Sequence, residues 1–106
     1  MNDGAPGLVI HDAVSGLRLV GEIDRASTDD LSARLDPLPG LDGDILIDLS
    51  GVGFIDSSGL RVLIDAHQRA QRCGRRVVMI RPSAPVRRLF DISGLVPYLH
   101  VGTAAD

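Results

Sequence analysis

The sequence predicts an α/β fold, a mixed central β-sheet of about four to five strands with helices packed against it. Short aliphatic runs alternate with segments of helical period, which demands crossover connections between parallel strands. The chain also opens on two strand-like segments separated only by a turn, which makes an antiparallel pair. With 106 residues, 44% of them hydrophobic, the chain suits a single domain spanning 1–106. A chain of this size buries roughly two-thirds of its unfolded surface.

The elements follow in order. LVIHD (8–12) and LRLVGEI (17–23) form a hairpin around Val14-Ser15-Gly16. The period then changes over 27–36: Ser27 or Thr28 can cap a helix whose Asp29 and Asp30 sit in its positive first turn, with Leu31 and Leu35 one turn apart. DPLPGLDG ends it. DILIDLS (44–50) reads as a buried strand, Gly51-Val52-Gly53 as a flexible link and Phe54-Ile55 as a short apolar step. From Ser57 to about Cys73 a helix carries Leu60, Leu63, Ile64 and His67 on one stripe, widened by Val62, Ala66 and Ala70, and Gly74 stops it. RRVVMIR (75–81) is the next buried strand. Ser83 can cap a third helix, with Pro85 in its first turn, Val86, Leu89 and Phe90 on one face and Gly94 at its end. A last strand is expected near Tyr98–Val101.

Composition narrows the function. Charged residues at 24% beside ample Leu, Ile and Val argue against disorder. No apolar run approaches the roughly 18 to 20 residues that cross a bilayer, and no basic-then-apolar leader opens the chain, so no membrane association is expected. Cys73 is alone, which rules out an intramolecular disulfide and a cysteine metal cage, and a reducing cytoplasm is the expected home. Residues 1–56 hold 11 acids against 3 bases, whereas residues 57–106 hold 8 bases against 3 acids. Such a split gives the fold an acidic and a basic side unless folding interleaves the halves. A net charge of −3 and three scattered aromatics offer nothing to nucleic acid.

One segment carries chemistry: Phe54-Ile55-Asp56-Ser57-Ser58-Gly59-Leu60, where a buried element hands over to a helix. Asp56 can accept from the amides of Ser58 or Gly59 as N-cap, which places Ser57 and Ser58 in a first turn whose amides lack carbonyl partners. Such a helix start favours an anion by roughly 0.3–1 kcal/mol when exposed, and a phosphoserine there adds about −1.5 to −2 charges. At a packed interface, a penalty of roughly 3 kcal/mol from that charge weakens binding about a hundredfold. Asp-Ser-Ser-Gly is equally a plain way to begin a helix. Hydrolase chemistry fits poorly, since neither serine has a glycine two residues before it. No phosphate loop ending in Lys is possible, because the chain has no Lys. His67 lies on the apolar stripe and reads as a core-edge histidine, six residues from Cys73 and on another helix face, so the two form no metal pair.

The strings Val20-Gly21-Glu22-Ile23-Asp24, Ile47-Asp48-Leu49-Ser50 and Phe54 to Leu60 closely resemble the STAS domains of bacterial anti-sigma factor antagonists. Leu89-Phe90-Asp91-Ile92-Ser93-Gly94-Leu95 resembles that family's last helix and turn. The resemblance spans roughly residues 8–101 and implies a STAS fold. It further implies that Ser58, the second serine of the pair, is phosphorylated by the anti-sigma factor, a serine kinase of the GHKL ATPase type. Asp56 then supports the phosphosite together with Ser57 and Gly59. Asp24 matches an acid near the partner-binding face, and Leu60, Arg61 and Ile64 are implied as contacts along the following helix. Leu60 and Ile64 also belong to the core stripe, and one helix face cannot do both jobs fully. Arg61 places a cation near the phosphosite, able to pair with phosphate or to recognise an acidic partner.

The implied cycle is partner switching. Unphosphorylated, the protein binds the anti-sigma kinase and frees a sigma factor; phosphorylated, it lets go; a PP2C-type phosphatase restores it. ATP and Mg²⁺ belong to the kinase, so this chain needs no cofactor and is not itself an enzyme. An alternative on the same fold is a STAS-type accessory subunit of an ABC lipid transporter, which binds the ATPase without phosphorylation. A nucleotide-binding STAS domain and an adaptor in a stress-signalling assembly are weaker alternatives, the first lacking a phosphate loop and the second lacking room for a sensory domain.

Overall fold

The computed structural model describes residues 7–13, 15–36, 38, 40, 42–94 and 100–102. Five strands pair in the order of the chain: β1 (Leu8–Ala13), β2 (Gly16–Ile23), β3 (Ile45–Ile55), β4 (Val77–Ile80) and β5 (His100–Gly102). β1 runs antiparallel to β2, and every later pair is parallel. The predicted mixed sheet is therefore present.

Helices α1 (Thr28–Leu35), α2 (Ser57–Arg72) and α3 (Ala84–Ser93) fill the three crossovers. Since each crossover advances the same way along the sheet, a common right-handed sense puts all three helices on one face. Burial agrees. Leu31 and Leu35 of α1, Leu60, Leu63, Ala66 and Ala70 of α2, and Val86 and Phe90 of α3 share one core with Leu17, Leu19, Ile45, Ile47, Leu49, Val77 and Met79. The opposite face is partly open and polar, with Arg18 and Ser50 exposed.

β3 departs from expectation. Gly51-Val52-Gly53 is no flexible link but the middle of an eleven-residue strand. From Gly16↔Leu46 to Ile23↔Ile55 the strand β3 advances two residues further than β2, with register shifts between Arg18/Val20 and Gly21/Glu22. At the first shift glycine leaves room where the irregular backbone brings β2 close. A Cβ on Gly51 would lie 2.9 Å from Val20 Cγ2.

Capping at α1 also differs. Asp24 caps a short 3₁₀ turn, Arg25–Ser27, that leads into the helix. Ser27 holds the N-cap position of α1, as read from sequence, but it is buried, already turned helically and makes no side-chain cap bond; its Oγ instead accepts from the Asp24 N–H at 3.0 Å. Thr28, the other cap candidate, is the first residue of α1 and its Oγ1 donates to Arg25 O at 2.9 Å. At α3 Ser83 holds the N-cap position, but its side chain donates to Val52 O and ties the helix start to β3. Gly74 and Gly94 take the positive φ values, +73° and +70°, that end α2 and α3. Leu99 and Tyr98, expected in the last strand, lie outside the described residues, as does Leu95.

The arginines of RRVVMIR bracket β4 instead of extending it. Arg76 makes a two-pronged contact with Asp44, at 3.1 and 2.8 Å, and Arg75 Nε donates to Gly43 O at 2.9 Å. Arg81, at φ +51°, folds back onto Asp48 of β3 at 2.6 Å. Parallel pairing of β3 with β4 thus sets acids of the first half against bases of the second, so these charges are interleaved.

The Asp48–Arg81 pair predicts an acid-sensitive increment of stability. Burial alone would raise the Asp48 carboxyl, but donation from Arg81 and from the Ser50 N–H outweighs it and brings the group from 3.8 to about 2. A folded value below the unfolded one stabilises the fold above about pH 4, and the contribution is lost as pH falls toward 2. Its size is about 2 kcal/mol. Urea unfolding at about pH 5 and about pH 2 should show a larger acid loss in the wild type than in Arg81→Ala. Equal losses would refute this role.

Candidate functional site

The site lies at the carboxyl ends of β2 and β3, where parallel strands end and helical turns begin. Ile23 and Ile55 are register partners, and the Asp56 N–H donates to Ile23 O at 3.1 Å. Asp24 and Asp56, the residues that follow those partners, are thereby brought to one edge. Both cap a helical start: Asp24 Oδ1 accepts from the Ala26 N–H at 3.0 Å, and Asp56 Oδ1 from the Ser58 and Gly59 N–H groups at 3.0 and 3.1 Å.

Close packing holds this edge rigid. A Cβ on Gly59 would meet Ile23 Cγ2 at 2.4 Å and Ile23 O at 3.0 Å, so only glycine lets α2 start this near β2. The Ser58 Oγ donates to Asp56 Oδ1 at 2.5 Å. Asp56 lies below its ordinary pKa, first because of that hydroxyl, then through the two cap amides and the charge of Arg25, against the opposing effect of burial. Ser58 is half-buried and Ser57 exposed, so the hydroxyl pair is within reach of a partner.

Asp24, Asp56, Ser57, Ser58 and Gly59 therefore converge as the sequence suggested. Arg61 is exposed and Ile64 half-buried along the outer side of α2, on a groove shared with Leu89 and Ser93 of α3. Leu60 requires correction. It is only 2% exposed and belongs to the core, because its position on the α2 stripe turns it toward the sheet. His67 is buried as expected of a core-edge residue. Among the described residues, no group of three or more His, Cys, Asp or Glu is arranged to hold a metal ion.

Three features of this edge escaped the sequence reading. Arg25 acts on Asp56 from the 3₁₀ turn. Phe54 and Ile92 are exposed, at 45% and 74%, and line an adjoining apolar groove with Pro85 and Leu89. The signal for Phe54 was strand alternation beside the buried Ile55; Ile92 lay outside the Val86–Leu89–Phe90 stripe.

A protein-family model described as "Mlab, STAS domain" matches residues 7–97. The chain belongs to the STAS domain family. The anti-sigma-B factor antagonist of Bacillus subtilis (strain 168) is 30% identical over 90 residues, covering 85% of this chain and 83% of that protein. Among solved structures, the unphosphorylated anti-sigma factor antagonist SpoIIAA superposes with a TM-score of 0.72 at 23% identity, covering 93% of this chain and 90% of that one. The phosphorylated form of SpoIIAA, described as a Bacillus cell fate determinant, gives 0.64 at 18% identity, covering 93% and 94%. At these identities the structures support the STAS fold, and the B. subtilis protein ties this member of the family to the anti-sigma factor antagonists. No helix among the described residues is long and apolar enough to cross a membrane.

Proposed function

We propose that this STAS domain is an anti-sigma factor antagonist that works by partner switching, with Ser58 as its phosphoacceptor. The carrying observation is a reachable hydroxyl in the first turn of a rigidly seated helix, hydrogen-bonded to the acid that caps it. In the unphosphorylated state the edge formed by Asp24, Ser57, Ser58, Arg61 and Ile64 docks on a GHKL-type anti-sigma serine kinase and frees a sigma factor. Phosphate on Ser58 sets a charge against Asp56 at the middle of that surface and releases the kinase, and a PP2C-type phosphatase resets it. The chain acts as ligand and substrate, in the cytoplasm, and the triphosphate chemistry belongs to the kinase.

The sequence also admitted a STAS-type accessory subunit of an ABC lipid transporter. The family model's description does not name a sigma regulator, and a hydroxyl at this helix start serves either reading. Incubation with the cognate kinase and ATP, followed by mass-spectrometric mapping, separates them. Phosphate at Ser58 is the expected result; none, together with capture of a transporter ATPase, would replace this reading with the other.

A further inference from the structure

Ser57 and Ser58 are neighbours with opposite environments. Ser57 is exposed, and its side chain makes no hydrogen bond among the described residues; Ser58 is half-buried and donates to Asp56 at 2.5 Å. On exposure alone Ser57 would be the better acceptor. Geometry reverses that order. Asp56 Oδ1 is pinned by two cap amides whose positions the helix dictates, at 3.0 and 3.1 Å, and the same oxygen takes the Ser58 proton. The hydroxyl of Ser58 is thus tethered, with its proton committed to Asp56. The Ser57 hydroxyl has no such tether among the described residues.

We propose that Asp56 is the positioning residue that makes Ser58, and not Ser57, the phosphoacceptor. The proposal rests on the phosphorylation reading above. In the transfer, Ser58 Oγ attacks the γ-phosphorus of a nucleoside triphosphate. The Oγ–P bond forms as the bridging P–O bond to the leaving nucleoside diphosphate breaks. The hydroxyl proton is released to water, while Asp56 does no more than hold the oxygen in place. Because phosphoryl transfer is governed by positioning more than by strong base chemistry, a fixed hydroxyl is worth more than an exposed one. The preference for Ser58 should be at least about tenfold.

Two measurements on wild type, Asp56→Ala and Asp56→Asn test this. The first uses the protein alone: three-bond couplings report the χ1 populations of both serines. One dominant rotamer is expected at Ser58 in wild type and Asp56→Asn, whose amide oxygen still accepts the hydroxyl and caps the helix. Averaging is expected at Ser58 in Asp56→Ala, and at Ser57 throughout. An averaged Ser58 in the wild type overturns the proposal. The second is the ratio of phosphate on Ser58 to phosphate on Ser57 after reaction with the cognate kinase and ATP. It should fall toward parity in Asp56→Ala and be largely restored in Asp56→Asn. General loosening of the helix start slows both serines alike and leaves the ratio unmoved, so an unchanged ratio in Asp56→Ala also overturns the proposal. Phosphate on neither serine in any variant defeats the phosphorylation reading, while the rotamer populations still decide the role of Asp56.

Discussion

Under the proposed partner switching, replacing Ser58 by aspartate should weaken binding to the cognate anti-sigma kinase about a hundredfold, whereas Ser58→Ala should bind it persistently. The aspartate removes the hydroxyl that donates to Asp56 and sets a second carboxylate beside it. Inside the domain this costs little, since the first turn of α2 favours an anion by roughly 0.3–1 kcal/mol. At the docking surface the new charge must shed water or meet like charges, and a penalty of roughly 3 kcal/mol is a hundredfold in affinity. Alanine removes the hydroxyl without adding charge, so on the proposed reading the complex should form and persist. Titration calorimetry of the three proteins against the kinase checks both halves. Equal affinities for Ser58→Ala and Ser58→Asp would rule out a charge mechanism.

A second large effect is expected far from Ser58. Gly16 begins β2 directly against β3, and a Cβ there would lie 1.9 Å from Leu46 O and 2.7 Å from both Leu46 C and N. These are backbone atoms in a parallel pair, held by donation from the Leu46 N–H to Ser15 O at 2.8 Å. No rotamer change relieves the clash, so the strands must separate. Gly16→Ala should therefore destabilise the domain by about 3 kcal/mol, a drop in Tm on the order of 15 °C. Gly53→Ala is the control, because nothing lies within 4 Å of the added Cβ, and it should change stability by less than about 0.5 kcal/mol. Matching melting temperatures for the two variants would show that β2 and β3 are not packed this closely.

Much of the site was legible because its signals are local. The N-cap role of Asp56 follows from an acid two residues before an orphan amide, and the structure shows both cap bonds. The ends of α2 and α3 followed from Gly74 and Gly94, since few residues other than glycine accept positive φ cheaply. Where reading failed, the deciding partner was remote. Gly51 and Gly53 look like a hinge unless β2 is known to run alongside, two residues shorter in register. Ser27 sits at the cap position of α1, but its hydroxyl is drawn into the Asp24 capping box of the preceding 3₁₀ turn and makes no cap bond of its own. Leu60 could face core or partner by its spacing alone, and the sheet beneath α2 settled it.

Periodicity and turn chemistry, both properties of neighbouring residues, specified the order of strands and helices and marked the Asp-Ser-Ser-Gly helix start. Pairing across the sheet is a relation between segments some 30 residues apart, and it alone brought Asp24 and Arg25 to Asp56 and joined Asp48 to Arg81. It also separated two adjacent serines into one held hydroxyl and one free, because burial and hydrogen-bond geometry depend on what the folded chain packs around a residue.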